Sequence, residues 1–122
     1  MTPMAPFLSD AWIAALDDAA RTVHGVSAFV IQQVITDGDG VAWHLVLANG
    51  PVRVLPGRAE APDVTFSQDR ATATAIVRGE LSAGAALTSG RLTVHGASAR
   101  LTEQRDVLAR LDTALREVAV DA

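Results

Sequence analysis

Residues 79–96 read GELSAGAALTSGRLTVHG, and Gly79, Gly90 and Gly96 divide the stretch into two elements. The first, Leu81–Leu87, is short, small and uncharged, and reads as a helix interrupted by Gly84. The second, Arg91–His95, alternates apolar and polar residues and reads as a strand. A glycine inside a helix costs about 1 kcal/mol against alanine, and alanines fill little volume. A helix so poor in bulk, followed at once by a strand, reads as a wall that leaves room for something beside it.

Outward from this stretch the chain falls into simple units. Toward the C-terminus, Ser98–Val118 has the pattern of one long helix, with Leu101, Leu108 and Leu115 seven apart and Leu111 and Val118 on a neighbouring line. Asp106–Arg110 and Asp112–Arg116 are i,i+4 pairs on its wet side. Toward the N-terminus, Asp69 can cap a helix over Ala71–Arg78, and Asp63–Ser67 is a short strand. Gly57–Pro62 is a polar loop. Pro51–Pro56 is a strand whose flanking prolines predict a sheet edge. Asn49-Gly50 predicts a hairpin, and Val41–Ala48 is a strand with Trp43, Leu45 and Leu47 on one face. Asp37-Gly38-Asp39-Gly40 is a turn after the β-branched strand Ala28–Thr36. Ser9 begins a helix that is expected to run to His24 and stop at Gly25, with Trp12, Leu16, Ala19 and Val23 on its apolar stripe and Asp17, Asp18 and Arg21 off it. The element order is α-β-β-β-β-α-α-β-α, in a single domain over residues 1–122.

The composition narrows the function classes. The chain has 122 residues, 49% of them apolar, and a mean hydropathy of +0.24, high for one small domain. The net charge is −4 and there is no basic cluster, which excludes nucleic acid as an expected partner. All ten basic residues are arginine, as coding bias in a GC-rich bacterial genome would produce. There is no cysteine, so disulfides, thiolate metal sites and cysteine nucleophiles are excluded. The N-terminal MTPMAPFLSDAW lacks the basic and apolar regions of a secretory signal, and no run approaches the roughly 20 apolar residues of a membrane span. The expectation is a cytoplasmic protein without stable membrane insertion.

Chemistry-bearing motifs are scarce. A calcium loop beginning at Asp37 needs a glutamate at its twelfth position, and that position is Ala48. No two histidines have metal-ligand spacing, no G-x-S-x-G occurs, and neither a dinucleotide nor a P-loop glycine pattern is present. No metal and no cofactor are expected. If the chain were an enzyme, His44, His95 or Asp63 would be the acid or base. His24 is placed in the last turn of the first helix, where a cation suits the dipole. What remains is a site made of shape and hydrophobicity.

The ordered set AWHLVLANG (42–50), VLP (54–56), APDVTF (61–66), GEL (79–81) and GRLTVHG (90–96) resembles the sterol carrier protein type two, or nonspecific lipid-transfer, domain. The resemblance covers about residues 8–118. It implies an α/β (α+β) layer: a five-stranded mixed sheet covered mainly on one face by helices, with an apolar tunnel between them. It also implies binding or carriage of a fatty acid, acyl-CoA, phospholipid or sterol-like molecule, without covalent chemistry. Carried onto this chain, Leu81, Gly84, Ala85, Leu87 and Thr88 form the helical wall, and Leu92 and Val94 the strand beside it. Trp43, Phe66, Leu108 and Leu111 complete the candidate binding set. The chain departs from the family pattern in its small, aromatic-free segment between Gly79 and Gly90, and it ends in Val120-Asp121-Ala122 rather than a peroxisomal address. Burying an alkyl chain contributes about 0.8 kcal/mol per CH₂, enough to hold a C16 chain without a polar anchor. Two other readings stand beside this one: a pocket enzyme for a polyketide- or steroid-like substrate, and a homodimerisation or accessory module that uses the C-terminal helix.

Overall fold

The computed structural model describes residues 5–6, 8–115 and 120–121. In chain order its elements are β1 (Ala5–Pro6), α1 (Asp10–Ala20), β2 (His24–Gly25), β3 (Phe29–Ile35), β4 (Ala42–Leu47), β5 (Gly50–Pro51), β6 (Arg53–Pro56) and β7 (Val64–Gln68). There follow α2 (Arg70–Val77), α3 (Ala83–Ser89), β8 (Leu92–Gly96), a 3-10 helix (Ser98–Gln104), α4 (Arg105–Leu115) and β9 (Val120–Asp121).

Five strands form one mixed sheet in the order β6-β4-β3-β7-β8. Only β3 and β7 run parallel; the other neighbours are antiparallel. The principal elements keep the expected order, and β6, flanked by prolines, is an edge strand as expected. Two separate two-stranded pairings lie beside it: β1 with β9, and β2 with β5.

Register separates the two faces of the sheet. Phe29, Ile31 and Gln33 stand opposite Leu47, Leu45 and Trp43. They continue across to Val64 and Phe66, and then to Gly96 and Val94. Trp12 of α1 meets Trp43 on this face, edge to face, with ring centroids 5.3 Å apart. The core sits here, around Trp12, Ile13, Leu16, Phe29, Leu45, Leu47, Val54 and Leu111. The other face carries the row His44, Gln32, Thr65, His95. The link from β6 to β7 must pass two strands, and it is tied to this second face. Ala59 N–H donates to Gln32 Oε1 at 2.8 Å, and His44 Nδ1 lies 2.9 Å from the Gly57 carbonyl, to which it donates. Gln32 Nε2 in turn donates to Thr65 Oγ1 at 3.3 Å, so both ends of this buried amide are satisfied.

Helix α1 begins where Ser9 predicts, its hydroxyl accepting from Trp12 N–H at 3.1 Å. It ends four residues earlier than expected. Thr22 and Val23 N–H reach back three residues, to Ala19 and Ala20, and the Val23 carbonyl is taken by Val52 N–H at 3.0 Å. The neighbouring strand thus competes for the backbone, and His24 lies in the β2–β5 bridge rather than in a helix turn. Asp17 also departs from its expected solvated place: it is buried. Arg53 Nε donates to its Oδ1 at 2.9 Å, Arg21 Nη2 to its Oδ2 at 2.7 Å, and Val54 N–H to Oδ1 at 2.8 Å. The Arg53 guanidinium is the main cause that lowers this carboxyl from 3.8 to about 2; burial works the other way, and Val54 N–H and Arg21 add to the lowering.

The expected single C-terminal helix is a 3-10 helix running into α4. Side chains anchor its first part. Arg100 donates to Asp63 Oδ1 at 3.1 Å and stacks over Phe29, and Gln104 Nε2 donates to Ser27 Oγ at 2.8 Å. Asp106 and Arg110 form no ion pair among the described residues. Val118 and Arg116 lie outside them.

Candidate functional site

Helix α2 starts from Asp69, whose carboxylate accepts Thr72 N–H at 2.7 Å. It buries Thr72 and Ala73 and leaves Ile76 half-buried at its far end. The chain turns through Gly79 and re-enters a helix at Ser82, whose hydroxyl accepts Ala85 N–H at 3.0 Å. Gly90 closes α3 at φ +80, a conformation that favours a residue without Cβ. Gly96 ends β8 at φ +103, where a Cβ would collide with the Asp63 carbonyl. These two glycines fix the edges of the stretch from which the sequence reading began.

Between these helices and the C-terminal ones lies a cleft of about 660 Å³. One wall is Ile76, Leu81, Ser82 and Ala83. The other is Leu101 and Thr102 of the 3-10 helix with Arg105, Leu108, Ala109 and Asp112 of α4. The lining is mainly aliphatic, with one cation and one anion. The cleft is open to solvent: Ile76, Leu81, Leu101 and Leu108 are half-buried, and the other lining residues are exposed.

The expected binding residues are distributed unevenly around this space. Leu81 and Leu108 line it. Trp43, Leu92 and Leu111 are buried in the core or beneath the helices, and Phe66 and Val94 are half-buried against the core. Gly84, Ala85, Leu87 and Thr88 face outward; Leu87 is 43% exposed, and Ala86 is the one residue that α3 buries. The wall is therefore the start of α3 and the turn before it, while the rest of α3 covers β8. Arg105, Thr102 and Asp112 carry no signal in the sequence, because charged or polar residues on a helix ordinarily read as its wet side.

The three acid–base candidates do not converge on the cleft. His44 and His95 belong to β4 and β8, separated by β3 and β7, so about 14 Å of sheet lies between them. His44 holds the loop at Gly57. Asp63 accepts Val30 N–H at 2.7 Å and the Arg100 guanidinium at 3.1 Å, which fastens the 3-10 helix to the sheet. None of the three lines the cleft. Among the described residues, no group of three or more His, Cys, Asp or Glu stands close enough to hold a metal ion, and no helix is long and apolar enough to cross a membrane.

The sequence that folds into this sheet and its helices matches the SCP-2 sterol transfer family over residues 10–109. The chain belongs to that family. Its fold is similar to a crystal structure of sterol carrier protein 2, at TM-score 0.73 and 24% identity over 93% of this chain and 99% of that one. It is also similar to a conserved hypothetical protein from Thermus thermophilus, at TM-score 0.69 and 23% identity over 99% of this chain and 94% of that one. A third is palmitated SCP2L2 from Aedes aegypti, at TM-score 0.56 and 25% identity over 89% and 88% of the two chains. Comparison with curated proteins finds no match.

Proposed function

We propose that this chain binds and carries a hydrophobic or amphipathic lipid in the cleft between α2–α3 and α4. Family membership supports lipid or sterol binding or transfer in general. The observation that carries the reading for this chain is the aliphatic cleft of about 660 Å³, walled by Leu81, Ala83, Leu101 and Leu108. An alkyl chain placed there gains about 0.8 kcal/mol for each methylene removed from water. The palmitated state of the Aedes aegypti protein makes a long-chain acid the first ligand to try. The half-buried leucines and isoleucine of the lining suit an alkyl chain, which favours binding and carriage.

The test is displacement of a fluorescent fatty acid from the purified protein, together with native mass spectrometry of the protein as purified. Saturable binding with a one-to-one mass shift is expected. No displacement by fatty acids, acyl-CoAs, phospholipids or sterols, and no bound mass, would overturn the reading.

A further inference from the structure

Arg105 is the one cation in the lining of the cleft, and its guanidinium makes no ion pair among the described residues. Three arginines elsewhere are engaged, whereas Arg110, like Arg105, has no ion pair among the described residues. Arg53, Arg21 and Arg100 have side chains 46%, 52% and 44% exposed, and each is held by a carboxylate. Arg105 is exposed too, and it lines the cleft together with Leu81, Leu101, Leu108, Thr102 and Ser82. A guanidinium presents a planar fork of donors that suits two oxygens of one acid group. Asp112 also lines the cleft, seven residues further along α4, which is about 10 Å along the helix axis. The cation of the lining therefore lies at the start of α4, and an ionised head group is attracted to it.

We infer that Arg105 selects amphiphiles with an ionised oxygen head group, carboxylate or phosphate, over uncharged lipids of the same chain length, and seats that head group at the start of α4. The inference rests on the lipid-binding reading and adds a polarity to it: the acid lies at Arg105 and the alkyl chain runs between Leu81 and Leu108.

Three competitors test it against one fluorescent probe: palmitate, 1-palmitoyl-lysophosphatidate and hexadecanol. Arg105→Gln is expected to weaken at least one of the two acids about tenfold, equal to about 1.4 kcal/mol, while hexadecanol is unchanged. Arg105→Lys is expected to restore part of the loss, since it keeps the charge without the fork. Which acid responds identifies the head group as carboxylate or phosphate. A thermal melt by circular dichroism checks that the variants are folded. Equal loss for all three competitors, or no loss for either acid, overturns the role of Arg105 and leaves lipid binding standing. Failure of all three to bind the parent protein overturns both.

Discussion

Over β4 and β6, α1 sets Trp12, Ile13 and Leu16 against the sheet, each 6% exposed or less. Over β8, α3 buries Ala86 alone. Both helices are short and both begin on a serine cap. The difference is side-chain volume and what fastens it. The first region adds the Trp12–Trp43 contact and the Asp17 carboxylate gripping Arg53, Arg21 and the Val54 backbone. The second has no charge between Leu81 and Leu87 and little bulk, and beside it lies the cleft. One half of the layer supplies stability, so the other half can be left underfilled. In a fold only marginally stable overall, an unfilled space has to be offset elsewhere.

The largest effect that tests this division is in the packed half. Trp43→Ala removes one ring of the Trp12 pair and opens a cavity, and should cost about 3–5 kcal/mol. Urea denaturation followed by circular dichroism measures it. Both tryptophans of the chain lie in this half, so intrinsic fluorescence would follow only that side. A loss below about 1 kcal/mol, small beside the usual cost of truncating a buried aromatic, would mean that the packed half does not carry the fold.

Asp17→Ala comes next, at about 2 kcal/mol, because the buried Val54 N–H loses its acceptor along with the two guanidiniums. The same carboxylate gives a pH dependence with a definite sign. Its pKa is about 2 in the folded chain against 3.8 for the free group, so the folded state binds the proton more weakly than the unfolded one. Its stabilisation is full above about pH 5 and is lost as the pH falls through about 2. The parent should lose stability across that window more steeply than Asp17→Ala does. Parallel acid titrations that ran at the same slope would break the idea.

How much of this is legible in the sequence follows from the same contrast. Strand faces, the Ser9 and Asp69 caps and the edge prolines are local signals, and the structure keeps them because alternation and capping act over a few residues. Asp17 reads as solvated because its main partner, Arg53, is 36 residues away and only the sheet brings them together. His24 reads as part of a helix turn because the group that takes the Val23 carbonyl is the distant Val52 N–H. Around the cleft, Leu81 and Leu108 follow from the family resemblance. The orientation of α3 is not legible, because Gly84, Ala85 and Ala86 give a helix no apolar face to read. Arg105 stays hidden because an exposed arginine on a helix reads as part of its wet side, and only the opposing helices make it part of a cleft.

The geometry of the underfilled half is sharpened by two tryptophans placed two residues apart. Ala83 and Ala85 are both exposed, but only Ala83 lines the cleft. Ala83→Trp should weaken fatty-acid binding about tenfold, near 1.4 kcal/mol, and Ala85→Trp by less than about twofold. The reverse result would put the ligand along the outward residues Gly84, Ala85, Leu87 and Thr88, the wall expected from the sequence. The displacement assay decides between the two surfaces, and a melt of each variant separates blocked binding from misfolding.

The smallest effect has the opposite sign. Gly84 lies inside α3, and a Cβ there would meet nothing within 4 Å. Gly84→Ala should therefore stabilise the chain by about 0.5–1 kcal/mol, through the freedom that glycine brings to the unfolded state. A differential scanning measurement should show the melting temperature rising by a few degrees for about 1 kcal/mol in a domain of this size. Lipid affinity should not change, because Gly84 is not part of the lining. If stability rises and binding falls, the looseness of α3 is itself needed for the ligand to enter. The weak helix would then act as a door, and the packed half as the frame that allows it to open.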